Sequence, residues 1–148
     1  MRTINKIIIH CSATKPTMDI GAAEIRKWHT DPKPRGNGWG DIGYHGVIRR
    51  NGVLESGRPM NIPGAHCVGQ NSHSIGICMV GGINAKGKPE SNFTAEQWQA
   101  LERTVKDLLK KFPTATVHGH NEFANKACPS FDVRKWWSGV QSKPRATA

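Results

Sequence analysis

A chain of 148 residues with 36% hydrophobic content, five Trp and four Phe can bury a real core as one domain, which excludes a disordered polypeptide. Lys and Arg number 21 against 11 Asp and Glu, giving a net charge of +10, so the partner or matrix is anionic: nucleic acid, an acidic membrane surface or bacterial cell wall. Cys11, Cys67, Cys78 and Cys128 form no CxxC pair, which argues against a zinc ribbon or thioredoxin motif and favours reduced thiols. No apolar run has the length of a signal-peptide core or a membrane span.

In chain order, Lys6-Ile-Ile-Ile-His10 reads as a buried strand, because consecutive β-branched residues without polar alternation suit a sheet covered on both faces. His10 stands at its carboxyl end, where α/β sheets form their sites. Residues 20–29 read as a helix with Ala22, Ile25 and Trp28/His29 on one face. A Gly/Pro loop follows, then a strand over residues 42–50. Asn51-Gly52 predicts a type I′ turn, and Val53-Leu54-Glu55 predicts the returning strand. Tyr44 and His45 are adjacent in that first strand, so period-two geometry sends them to opposite faces.

Residues 74–80 predict another strand. Thr94-Ala-Glu-Gln97 has the form of a capping box and opens a helix carrying Trp98, Leu101, Val105, Leu108, Leu109 and Phe112 on one stripe, with Pro113 stopping it. Residues 114–117 predict a short strand, Ser130 a cap for a last helix from Asp132 to Trp137, and residues 141–148 a frayed tail. Residues 1–140 then form a single α/β domain, a central mixed β-sheet flanked by helices on both faces.

The chemistry concentrates in residues 118–131, where two histidines, Glu122, Lys126 and Cys128 fall on a loop stiffened by Pro129. Such donors suit zinc, which needs three protein ligands in a hydrolase and leaves a position for water. The candidates are His10, His118, His120, Cys128 and Glu122; spacing alone does not decide between His118 and His120.

Four segments, His10-Cys-Ser-Ala-Thr-Lys-Pro, Asp41-Ile-Gly-Tyr-His45, Asn71-Ser-His-Ser-Ile-Gly-Ile77 and Lys126-Ala-Cys-Pro-Ser-Phe131, together resemble the zinc N-acetylmuramoyl-L-alanine amidases of the type 2 family. That family includes small phage amidases and the animal peptidoglycan recognition proteins. The likeness runs from about residue 4 to residue 137 with the motifs in the family's order.

The resemblance implies a peptidoglycan recognition protein-like fold and one Zn2+ per chain held by His10, His120 and Cys128. It implies catalytic roles for Tyr44 and Lys126, and places His66 and Asn71 in loops bordering the substrate groove. His45 and Glu122 are expected behind the ligands, since carboxylates commonly orient metal-binding histidines. His118 is expected as a neighbour of the site. Cys11, Cys67 and Cys78 read as small buried hydrophobes.

The implied activity is hydrolysis of the amide between N-acetylmuramic acid and L-alanine in peptidoglycan by a monomeric phage endolysin. It would be made in the host cytoplasm without a signal peptide and reach the periplasm after holin-type release, with its charge drawn to the anionic outer membrane. Two rival readings are a peptidoglycan-binding protein without activity and an amidase that also binds and inhibits a phage RNA polymerase. Direct nucleic-acid binding is not expected, since no binding motif accompanies the charge.

Overall fold

A computed structural model describes residues 2–142. Five strands form one sheet in the order β3-β2-β4-β1-β5. They are β1 (Lys6–Cys11), β2 (Gly46–Ile48), β3 (Leu54–Ser56), β4 (Ser74–Met79) and β5 (Thr116–Gly119), and the helices are α1 (Ala22–Thr30), α2 (Ala95–Lys111) and α3 (Val133–Ser142). β1 lies between β4 and β5 and parallel to both, while β2 runs parallel to β4 and antiparallel to β3. The sheet is therefore mixed, as expected.

Alternation along the strands divides the core. Ile7, Ile9, Ile75, Ile77 and Met79 face Leu101, Val105 and Leu108 of α2, with Trp136 and Trp137 of α3 packed at the margin. Val47 and Cys78 face the other way, toward Ala22 and Ile25 of α1. Helices thus cover both faces, and this is why the isoleucine run of β1 lacks polar alternation. His10 is one step out of phase with Ile9 and Cys11, so it points to the α1 side of the sheet.

Several local details depart from expectation. The ladder of β2 covers only Gly46–Ile48. The carbonyls of residues 43–45 are engaged elsewhere, although His45 N–H still donates to Gly76 O of β4 at 2.9 Å: Ala65 N–H donates to Gly43 O at 3.0 Å, Arg58 N–H to Tyr44 O at 2.8 Å and Gly57 N–H to His45 O at 2.9 Å. The hairpin turn lies one residue earlier than a type I′ turn would. Gly52 N–H bonds Arg49 O at 2.9 Å, and Gly52 alone, at φ 86°, enters the left-handed region while Asn51 does not. A Cβ on Gly52 would also meet Glu96 O at 2.7 Å, so the tip needs glycine for space as well.

β5 starts two residues late because Ala115 N–H closes a turn on Phe112 O at 3.0 Å. α3 is capped by Asp132, whose Oδ1 accepts from Lys135 N–H at 3.1 Å, and not by Ser130. α3 also runs on through Ser142, so Gln141 and Ser142, expected in a frayed tail, are helical. The rest of that expected tail lies outside the described residues.

The capping box of α2 is present, with Gln97 N–H on Thr94 Oγ1 at 3.1 Å and Thr94 N–H on Gln97 Oε1 at 2.9 Å. Gln97 does more than cap. Fully buried, it donates through Nε2 to Val80 O at 2.8 Å and Ile48 O at 3.3 Å, and accepts from Arg50 at 3.1 Å. It ties α2 to the ends of β2 and β4. Gln97→Ala should therefore cost about 2–4 kcal/mol, because several buried partners lose their bonds together. Denaturant unfolding measures this, and a cost no larger than an exposed cap residue's would contradict the assignment.

Candidate active site

His10 and His120 come from the carboxyl ends of two neighbouring parallel strands. His10 is the fifth residue of β1, and His120 follows β5 directly, in a 3-10 turn over His120–Glu122. Cys128 arrives on the next loop, which is anchored in two ways. Phe131 packs edge-on against Trp98 of α2 at 4.8 Å between ring centroids, and Ser130 Oγ donates to Gly82 O at 2.8 Å. One donor atom from each of His10, His120 and Cys128 lies within 4.8 Å of the others.

The donor set fits a borderline cation. His10 Nδ1 is 3.8 Å from Cys128 Sγ, close to the roughly 3.6 Å that tetrahedral zinc bond lengths impose between an imidazole nitrogen and a thiolate. His120 Nδ1 is buried and without a hydrogen-bond partner among the described residues. Buried polar atoms are ordinarily satisfied, and this bare nitrogen beside a histidine and a cysteine leaves a lone pair that could take a metal ion. Cys11 N–H points at Cys128 Sγ from 3.2 Å, a donor that favours thiolate. Hydrogen bonding to Cys11 and burial push the metal-free Cys128 thiol up, so metal binding there releases a proton.

The histidines are held neutral. His10 falls well below the usual range, chiefly through burial and then through His66, His120 and the charge of Lys126. His66 is lowered to about 3, by burial first and then by His45, His120, Arg2 and Arg58. His120 is lowered by burial and by Lys126. Lys126 itself is exposed, so its ammonium faces solvent while its field reaches both His10 and His120. Tyr44 places its ring 5.1 Å from that of His10. Desolvation, with the Cys78, Cys128 and Cys11 thiols, pushes its phenol well above the ordinary range. It stays a hydroxyl donor.

His66 and Asn71 are placed differently from a groove lining. The buried His66 ring lies behind His10, with Nδ1 2.8 Å from His10 Nε2 and Nε2 3.1 Å from Ser74 Oγ, so neither nitrogen is available to substrate. Asn71 Oδ1 accepts from His66 N–H at 2.9 Å and Cys67 N–H at 3.0 Å, pinning the loop. His45 is one layer further back: its Nδ1 accepts from Gly76 N–H at 3.0 Å, and its ring meets that of His66 edge-on at 5.9 Å.

Glu122 bonds neither His10, His120 nor Cys128. Its carboxylate accepts from Gly119 N–H at 2.6 Å and pairs with His118 Nδ1 at 2.8 Å. It supports the backbone that carries His120 rather than the imidazole, and His118 is turned to Glu122 and Thr116. Cys11, Cys67 and Cys78 are buried free thiols, as expected.

Two residues without a role in the sequence reading also belong here. His29 Nδ1 accepts from Gly43 N–H at 2.9 Å, and its ring lies 5.5 Å from Tyr44 and 4.8 Å from the exposed Trp39. Together they extend the aromatic surface that ends at Tyr44. The available signal was the Gly-rich segment before Tyr44, which returns Trp39 and Gly43 to the end of α1.

A family model described as N-acetylmuramoyl-L-alanine amidase matches residues 1–131. The chain belongs to this amidase family. The endolysin of Klebsiella phage KP32 is 50% identical over 133 residues, which are 90% of this chain and 85% of that protein. Among solved structures, the N-acetylmuramoyl-L-alanine amidase LysC from Clostridium intestinale URNW matches with TM-score 0.79 at 25% identity, covering 96% of this chain and 88% of its own. Drosophila PGRP-LB shares the fold, with TM-score 0.74 at 22% identity over 99% of this chain and 85% of its own. The amidase is therefore an endolysin-type enzyme whose fold is that of the peptidoglycan recognition proteins, and peptidoglycan is its substrate.

Because folding keeps His10, His66 and His120 below the ordinary histidine value of 6.5, the unfolded chain binds more protons than the folded one below that pH. Stability of the chelator-treated amidase should therefore be full above about pH 6.5 and fall as pH drops, with the His66 contribution lost down to about 3. Each histidine adds up to about 1.4 kcal/mol per pH unit. Urea unfolding across this window checks the slope; a flat profile would contradict neutral burial of the three rings.

Proposed function

We propose that the amidase works with one zinc ion per chain, held by His10 Nδ1, His120 Nδ1 and Cys128 Sγ, and that Tyr44 and Lys126 act on the substrate. The buried, unpartnered His120 Nδ1 beside the other two donors carries this reading. When bound, the metal supplies Lewis-acid polarisation of the amide carbonyl and a water acidic enough to ionise near neutrality. The protein residues supply position and charge.

His10 and His120 are fixed to adjacent strand ends, so the distance between them is set by sheet geometry. The Tyr44 phenol, neutral and against His10, is a hydrogen-bond donor for the carbonyl oxygen as it gains negative charge. Lys126 offers the compensating cation from the solvent side. Among the described residues no carboxylate joins the donor cluster, and Glu122 is engaged with His118 and Gly119. General-base work by Glu122 therefore has no geometric support.

The reading extends to the setting. Endolysins act on the cell wall, and no described helix is long and apolar enough to cross a membrane. Passage from the host cytoplasm through a holin-type opening suits such a protein. The charge of +10 suits attraction to an anionic outer membrane or wall, and monomeric action needs nothing from a second chain. A binder without activity is less well supported, because the complete His/His/Cys set is retained.

Incubation with isolated peptidoglycan should release new L-alanine amino termini, and both a chelator and Cys128→Ala should abolish them. Activity that survives chelation and this substitution would overturn the metal assignment. Lys126→Ala should lower turnover by roughly 10²–10³-fold, the cost of removing one oxyanion-stabilising group, with zinc content unchanged. Loss of zinc from Lys126→Ala would remove that residue from the catalytic role.

A further inference from the structure

The hydrogen bonds behind His10 run in one direction. Ser74 Oγ lies 2.8 Å from Gln70 O, and a carbonyl can only accept, so the hydroxyl proton goes there. The Ser74 lone pairs then face His66 Nε2 at 3.1 Å, which makes that nitrogen the protonated one in the neutral ring. His66 Nδ1 is left as an acceptor, and the atom 2.8 Å from it is His10 Nε2. His10 consequently carries its proton on Nε2 and presents a bare Nδ1. That bare nitrogen is the one beside Cys128 Sγ.

The reverse arrangement fails at both ends. Ser74 would donate to His66, and Gln70 O would exchange its 2.8 Å hydroxyl donor for the longer His73 N–H bond of 3.4 Å alone. His10 would carry its proton on Nδ1, pointed at the cysteine, where ligation needs a lone pair.

The slot for His66 is built for the purpose. A Cβ at residue 76 would come 2.6 Å from the imidazole, so only Gly76 leaves room on the strand. Asn71 holds the backbone of His66 and Cys67, and Ser74 is fully buried.

We propose that His66 and Ser74 are positioning residues which lock His10 in its Nε2-protonated tautomer and so aim Nδ1 at the metal. The inference rests on the zinc reading above and assigns the two residues a role in metal affinity rather than in substrate contact. Groups that orient a metal histidine are typically worth 10–100-fold in affinity.

The test is zinc affinity of the full-length chain, by competition with a chromophoric chelator, for wild type, His66→Leu, His66→Asn and Ser74→Ala. Asn carries its Oδ1 where histidine carries Nδ1, so it keeps the acceptor for His10 and loses only the link to Ser74. His66→Leu should bind zinc roughly 10–100-fold more weakly, His66→Asn should recover most of the loss, and Ser74→Ala should fall between. Nitrogen-15 NMR of the zinc-loaded wild type should find the His10 proton on Nε2, and this readout stands even if His66→Leu does not fold. Wild-type affinity in His66→Leu, or metal on His10 Nε2, would overturn the tautomer lock while leaving the zinc site intact. Failure of wild type to bind zinc would overturn the site itself, and the lock with it.

Discussion

The pairing of β1 between β4 and β5 is the constraint on which the rest depends. Because the three strands are parallel and in register, Ile9 opposite Gly119 and His10 opposite Cys78, their carboxyl ends finish on one edge of the sheet. His10 is then brought beside His120 by backbone hydrogen bonds alone, across more than a hundred residues of sequence. The loop to Cys128 has only a short distance to close, and the aromatic packing of Phe131 on Trp98 holds its far side. Displacing β5 by one residue would invert its side chains and take His120 away from the cluster.

Around this edge, polar groups are arranged in layers that burial makes obligatory. His10, His45, His66, Ser74 and His120 are all buried, and an unpaired polar atom in such surroundings costs about 1–3 kcal/mol. All but one of their side-chain nitrogens and hydroxyls that are fully shielded have protein partners, and the exception is His120 Nδ1. The structure thus tolerates one unsatisfied atom, and that atom stands beside His10 and Cys128. A cation held by the proposed donor set would recover the cost of leaving it bare, and binding would then couple to folding.

Much of this was legible in the sequence, for identifiable reasons. The Ile7–Ile9 run, the Thr94/Gln97 capping box and the stripe of α2 are local signals, and the local physics decides them. Tyr44 and His45 were expected on opposite faces of a regular strand. Instead their carbonyls accept from Arg58 and Gly57 while only His45 N–H keeps a bond to β4, and both side chains approach His10, one directly and one through His66. No periodicity encodes that, since the partners of residues 43–45 are non-local. The same applies to His66 and Asn71: their loop position suggested the groove, but the direction of their hydrogen bonds depends on Gly76 and Ser74 of another element. Ser74 itself reads as an unremarkable strand start.

The division of labour among the histidines follows from these layers. A histidine can serve as ligand, as donor–acceptor link or as structural pin, and its residue type does not say which. Here the other nitrogen decides. His45 has both nitrogens on backbone groups and acts as a pin. His66 has one nitrogen on a hydroxyl and one on a histidine, which is the basis of the proposed tautomer lock. His10 and His120 each retain a nitrogen with no committed protein donor or acceptor at hydrogen-bond strength, and those nitrogens converge with a cysteine. His118, two residues from His120, is satisfied by Thr116 and Glu122 and stands outside the His10/His120/Cys128 cluster. Spacing could not choose between His118 and His120; hydrogen-bond saturation can.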